Sequence, residues 1–376
     1  MKVVLNSFRG MYSDSPRALF EALRERGDAH EYVWLAAPDR IGDFPADVPT
    51  VVFASAEARA ALEAADVVVS NDHLGFDWEK SPGTTYLQTW HGTPLKRIHN
   101  DVMWAPEGRL AYLDLEIARW DALLSQNPVS TPLFRRAFGF TGPVHETGYP
   151  RNDVLNSPDR DRLRAEVRAQ LGIADGVTAV LYAPTWRDDA VFTEGVPDHT
   201  FPLDLDEFAR GLGEDHVLLL RVHQMVSDRL ELPGGTSVKD VSSHPDISHL
   251  FLAADVLVTD YSSAMFDFAV TGRPIIHFTY DLDYFSNELR GFYFDLAEAA
   301  PGPLLGSSDE VLAAIADLAR QPWEPGPRYL HFQQTFCSLE DGHATERVLD
   351  LFFPPAAAAS GEPAATTTPT RTEPRR

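Results

Sequence analysis

The chain has 376 residues, 44% of them apolar and 11% aromatic, enough for two hydrophobic cores, which excludes global disorder. A net charge of −24 excludes a general nucleic-acid binder, because a phosphate backbone demands a basic surface. Cys337 is the single cysteine, so an intrachain disulfide and a cysteine metal cluster are both excluded, and a reducing cytoplasm is the expected compartment.

In chain order, Lys2 to Asn6 reads as a first strand, with no signal-peptide pattern around it, and Ser15 to Arg26 as an amphipathic helix opened by Ser15-Pro16. Tyr32–Leu35, Thr50–Phe53, Val67–Ser70, Thr85–Trp90 and Ala122–Ser125 read as further strands, with Ala56–Ala64 helical. Ser157-Pro158 opens a charged helix, Asp159–Leu171. It leads into a second run of strands at Val177–Tyr182, Val217–Val222, Val238–Asp240, Asp255–Thr259 and Pro274–Phe278. Strands alternating with helices imply parallel sheets in both halves. The expected domains are 1–155 and 156–340, each Rossmann-like α/β, then a helix over 341–353 that crosses back to the first domain. Residues 354–376, rich in Pro, Ala and Thr, are expected to be disordered.

Two strand-to-turn transitions carry the chemistry. In LAADVLVTDYSSAMFD (Leu252 to Asp267), a β-branched run stops at Asp260 and a helical pattern starts after Ser262 and Ser263. Ligands of open α/β sheets collect at such carboxyl ends, and hydroxyls with unpaired N–H groups at a helix start suit a phosphate. The plainer alternative is that Asp260 or Ser262 only caps the helix. In TYLQTWHGTPLKR (Thr85 to Arg97), a strand ends in the turn His91-Gly92-Thr93-Pro94. Gly92 permits close backbone approach, and the turn places a histidine at the mouth of a second α/β unit. A structural histidine is the alternative there.

These segments, with QTWHGTPLK (88–96), ETGYPRNDVL (146–155), LYAPTWRDD (181–189), RVH (221–223), VTDYSSAMFDF (258–268), GRPIIHF (272–278), RGFYFD (290–295) and FCSLEDGHATERV (336–348), resemble the CDP-glycerol glycerophosphotransferase family. Its members are the teichoic-acid primases and polymerases of bacterial cell-envelope synthesis. The resemblance covers most of residues 85 to 348 in family order. It implies a GT-B-like fold, with the two parallel sheets facing across a cleft. It also implies transfer of glycerol phosphate from CDP-glycerol, or of a related polyol phosphate from CDP-ribitol, to an acceptor hydroxyl with release of CMP.

What the resemblance implies for individual residues is as follows. His91 is the expected base, kept neutral with help from Lys96 and Arg97. His223 binds the donor or protonates the departing phosphate, although Gln224 stands where the family usually has proline. Ser262 and Ser263 hold the β-phosphate, and Asp267 binds a glycerol or ribose hydroxyl, with a helix-dipole acid as its alternative. Asp260 orients His223 or the serines, Thr185 and Arg187 are further phosphate candidates, and Arg290-Gly291 lies against the nucleotide. Gly92, Thr93 and Lys96 belong to the acceptor side. With both substrates anionic, the site must be a positive island in an acidic chain, drawn from Arg151, Arg187, Arg221, Arg290 and Lys96.

No cofactor is required by these motifs. Asp188-Asp189 is a candidate for Mg²⁺ beside a phosphate, though a solvated turn explains the pair as well. His244 and His249 lack a third partner at metal-ligand spacing. The expected acceptor is lipid-linked or polymeric and anionic, and no apolar run approaches the ~20 residues that span a bilayer, so contact with the inner face of the membrane is expected to be transient. Two other classes stay open: a nucleotide-sugar glycosyltransferase or epimerase on the same scaffold, and a non-catalytic module binding a CDP-alcohol or an anionic polymer.

Overall fold

The computed structural model describes residues 1–103, 108–185, 202–222 and 232–355. The first sheet has seven strands, β1 (Lys2–Asn6), β2 (Glu31–Ala36), β3 (Thr50–Val52), β4 (Val67–Ser70), β5 (Thr85–Gln88), β6 (Ala122–Ser125) and β7 (Val144–Glu146). They lie in the order β3-β2-β1-β4-β5-β6-β7, every pair parallel. The second sheet runs β10-β9-β8-β11-β12-β13, again all parallel. Its strands are β8 (Thr178–Ala183), β9 (His216–Leu220), β10 (Val238–Asp240), β11 (Val256–Thr259), β12 (Ile275–Phe278) and β13 (Leu304–Leu305).

The continuous apolar runs explain this arrangement. Val3-Val4-Leu5, Leu218-Leu219-Leu220 and Leu257-Val258 are fully buried, as strands covered by helices on both faces must be. Register follows: Val3 stands beside Val67 and Leu5 beside Val69 in the first sheet, and Leu181 beside Leu257 in the second. In each sheet the strand order reverses once, at β1/β4 and at β8/β11, and a crevice opens at the carboxyl ends of those strands.

The strand expected to run to Trp90 stops at Gln88, because Gln88 Oε1 accepts the Trp90 N–H at 2.9 Å and Trp90 turns to a φ of 55°. The edge strands β7 and β13 have no counterpart in the sequence reading, since two or three residues carry no measurable period. The helix Ala344–Phe352 returns to the first sheet, where Val348, Leu349 and Phe353 join Val3, Leu5, Leu19 and Trp34 in one core. Its start is held by Asp153, whose carboxylate accepts the Ala344 and Thr345 N–H groups at 3.0 and 2.7 Å.

Candidate active site

The carboxyl ends of the two sheets meet at a cavity of about 240 Å³. Its wall draws Phe8, Ser13, Asp14 and His91 from the first half and Arg221, Asp246, Ser262 and Ser263 from the second, with Arg151 from the connecting segment. Two motifs about 170 residues apart in sequence come into direct contact there. A Cβ built on Gly92 would lie 2.6 Å from Ser263 Oγ, so only glycine lets the His91 turn seat on the serine. Gly92→Ala is therefore expected to lower turnover about tenfold or more without unfolding the chain, and Gly92→Ala/Ser263→Gly to recover part of it; a fully active single variant, by CMP release, would remove this contact from the mechanism.

His91 is half-buried, stacked on Trp90 with ring centroids 4.3 Å apart and met by the tilted ring of Phe8 at 5.4 Å. Its Nδ1 sits at hydrogen-bond distance from the Asn71 carbonyl, an acceptor, so Nδ1 carries the proton and Nε2 keeps its lone pair. Burial pushes its pKa below the ordinary histidine value, and Arg151 adds to that, against the opposing pull of Asp72. The supporting cation is thus Arg151, where the sequence suggested Lys96 and Arg97. Those two residues lie in a strip whose backbone pairs with the second half: Lys96 bridges Phe292, and the Arg97 N–H donates to the Gly291 carbonyl at 3.1 Å.

Asn71, whose carbonyl accepts the His91 Nδ1 proton, and Asp72, both just after β4, are participants the sequence did not single out. Burial alone would raise the Asp72 pKa, but His73, His91 and Arg9 bring it down to about 2. Phe8 and Asp14 in the cavity wall have positive φ, at 42° and 63°, as do Arg9 and Trp90, each next in sequence to a wall residue, at 62° and 55°.

On the second sheet, Ser262 and Ser263 line the cavity as expected. Ser262 Oγ also accepts the Ala264 N–H at 3.3 Å, so the capping alternative holds for that serine as well, whereas Ser263 makes no side-chain cap. Asp260 Oδ1 accepts the N–H groups of Thr185 and Tyr261 at 2.8 and 2.6 Å, which ties the ends of β8 and β11 together. Arg221 reaches the cavity while its Nη1 donates to the His244 carbonyl at 2.8 Å, and burial lowers its pKa. His223, Arg187, Asp188, Asp189 and Gln224 lie outside the described residues. Among the described residues there is no group of three or more His, Cys, Asp or Glu placed to hold a metal ion.

Four of the expected site residues have partners within the protein. Thr93 is buried below the turn, donating to Gln126 Oε1 at 2.6 Å and accepting from Asn127 Nδ2 at 2.9 Å, so it supports the turn and does not face the cavity. Gly291, at φ 71°, makes room for Arg97 and Met103, each 3.3 Å from its would-be Cβ. Asp267 lines the cavity, and its oxygens accept from Gln126 Nε2 at 2.9 Å, Asn152 Nδ2 at 2.7 Å and Arg151 Nη2 at 2.6 Å. Arg151 adds little to a positive island, because Asp14 and Asp267 both contact it at 2.6 Å and outnumber its charge. Burial alone would lower the Arg151 pKa, but these carboxylates lift it above its ordinary value.

The sequence profile described as "CDP-Glycerol:Poly(glycerophosphate) glycerophosphotransferase" matches residues 1–354. A teichoic acid glycerol-phosphate transferase of Staphylococcus aureus is 41% identical, over 93% of this chain and 92% of its own length. A teichoic acid poly(glycerol phosphate) polymerase of Bacillus subtilis is 35% identical over 93% of this chain, which spans 48% of that longer protein. Among solved structures, the wall teichoic acid polymerase TagF superposes with a TM-score of 0.85 at 37% identity, over 93% of this chain and 88% of that one. The GT-B-like expectation is met by that match and by the two parallel sheets. A UDP-GlcNAc 2-epimerase from Neisseria meningitidis, at 12% identity and a TM-score of 0.54, shares the fold alone.

Proposed function

Because the chain belongs to the CDP-glycerol:poly(glycerophosphate) glycerophosphotransferase family, we propose that it transfers glycerol phosphate from CDP-glycerol to an acceptor hydroxyl, releasing CMP, in the synthesis of a teichoic-acid-like polymer. The observation that carries this reading is the contact between the His91 turn of one sheet and Ser263 of the other, across a shared cavity. The acceptor oxygen attacks the phosphorus of the glycerol phosphate while its proton passes to His91 Nε2. The bond from that phosphorus to the bridging oxygen breaks, and CMP leaves with the electron pair. Ser262, Ser263 and Arg221 surround the charge that develops, and His223 keeps its assignment to donor binding or to protonation of the leaving phosphate.

Glycerol is favoured over ribitol as the transferred polyol. The glycerol-phosphate relatives match 93% of the chain at 35–41% identity, whereas a poly(ribitol-phosphate) polymerase matches 56% at 31%. A TagF variant soaked with CDPG is 36% identical and supports the same donor. The acceptor is read as lipid-linked or polymeric and anionic. Among the described residues no helix is long and apolar enough to cross a membrane, so transient contact at the cytoplasmic face is the arrangement proposed. Incubation with CDP-glycerol, CDP-ribitol and UDP-N-acetylglucosamine separately, with a lipid-linked disaccharide acceptor, tests this: acceptor-dependent CMP from CDP-glycerol supports it, and UDP release overturns it.

The pH profile supplies a second check. The base must be neutral, so kcat/KM falls as pH drops through the pKa of His91, which burial places below 6.5. Asp72 stabilises the imidazolium and thus raises that pKa; Asp72→Asn is expected to move the acid limb to still lower pH. A limb above pH 6.5, or one that Asp72→Asn moves upward, would contradict the assignment of His91.

A further inference from the structure

We propose that Arg9 binds a phosphodiester of the acceptor, holding the acceptor so that its terminal hydroxyl faces His91. This rests on the transferase reading above and adds the group that recognises the acceptor's charge. An anionic acceptor entering an acidic chain needs a cation on the His91 side of the cavity. Arg151 is compensated by two carboxylates, and Arg221 belongs to the second sheet and donates to a backbone carbonyl. Arg9, in contrast, has a side chain 60% exposed, and its Nε stands 3.5 Å from Asp72 Oδ2. A pair that loose and that exposed is weak and gives way to a better-placed anion.

The loop places the residue. Phe8 and Arg9 are consecutive non-glycine residues in the left-handed region, at φ 42° and 62°. They are held there by the Phe8 N–H donating to Asn71 Oδ1 at 2.9 Å, by the Met11 N–H donating to the Ser7 carbonyl at 2.7 Å, and by the Ser7–Ser13 hydroxyl contact at 3.0 Å. This conformation lays Phe8 against His91 in the cavity wall and sends the next side chain, Arg9, to the Gly75 turn, its guanidinium carbon 3.8 Å from where a Gly75 Cβ would stand. Asp72 links the two: it pairs with Arg9 and acts electrostatically on His91. When a phosphodiester draws Arg9 away, the Asp72 charge is left to the imidazole, which favours proton uptake from the hydroxyl. A guanidinium matches a phosphodiester with two parallel donors, which an ammonium does not.

The test compares two short soluble acceptors that end in a glycerol hydroxyl: a glycerol phosphate dimer, and its analogue with an uncharged methylphosphonate linkage. The full-length wild-type protein is expected to prefer the charged acceptor in kcat/KM by about tenfold or more, as one charge-assisted contact supplies. Arg9→Gln should bring that ratio close to one, Arg9→Lys should restore it in part, and the Kd of both variants for CDP-glycerol should match wild type. Wild-type discrimination retained in Arg9→Gln overturns the proposal, as does a weakened CDP-glycerol Kd, which would place Arg9 on the donor. No CMP from either acceptor with wild-type protein instead overturns the transferase reading beneath it.

Discussion

Replacing His91 with alanine should lower turnover by roughly 10²–10⁴-fold while CDP-glycerol still binds. The size follows from what the imidazole alone supplies. Its Nδ1–H is fixed on the Asn71 carbonyl, its ring packs on Trp90 and Phe8, Nε2 keeps its lone pair, and the residue lines the same cavity as Ser263. The groups proposed to hold the donor, Ser262, Ser263 and Arg221, line the cavity from the second half, and they are untouched by the change. CMP release and calorimetric binding of CDP-glycerol, measured on the same preparation, check both halves of the statement. A variant that turns over normally would remove His91 as the base; one that fails to bind the donor would move it to the nucleotide side.

That histidine was legible in the sequence, as was most of the scaffold. Val67–Ser70 and Ala122–Ser125 stand as strands at the bounds their β-branched and leucine runs indicate, because a buried parallel strand writes itself as an uninterrupted apolar run. The serines after β11 were legible for the same reason, as polar residues directly after such a run. What joins the two halves was not legible. Asp14 and Arg151 are 137 residues apart and Arg151 and Asp267 are 116 apart, and no local pattern relates them. Asp267 reads locally as a first-turn helix acid, and its true partners are supplied by the connecting segment and by Gln126. The Phe8–Arg9 loop escaped for a different reason: two successive left-handed residues without glycine contradict backbone preference and are sustained only by Asn71 and Ser7. One signal was available, the arginine in YPRND, set between a buried tyrosine and a buried asparagine.

The connection through Arg151 predicts the largest effect on stability. Its guanidinium is buried and spans the two halves at the cavity, with Nη1 on Oδ2 of Asp14, the first residue of the helix Asp14–Glu25, and Nη2 on Oδ2 of Asp267, in the helix Ala264–Phe268. Arg151→Met leaves two buried carboxylates without their cation, which costs about 3–5 kcal/mol and should lower the urea midpoint accordingly. The pH dependence identifies the cause. Burial already raises the Asp267 pKa against the pull of Arg151, and with the cation gone that carboxyl stands further above its unfolded value, so its protonated form is favoured by folding; the deficit is present at neutral pH and shrinks as pH falls through that raised value. Arg151→Met combined with Asp14→Asn and Asp267→Asn should therefore recover most of the loss, since no charge is then left buried, and should do so without the pH dependence. The triple variant separates the two roles of the cluster. Recovery of stability without recovery of turnover would mean that the arginine also sets the field at His91, whose pKa it depresses, whereas a single variant as stable as wild type at neutral pH would show that the halves are held by apolar contact and that the buried ion cluster contributes little to joining them.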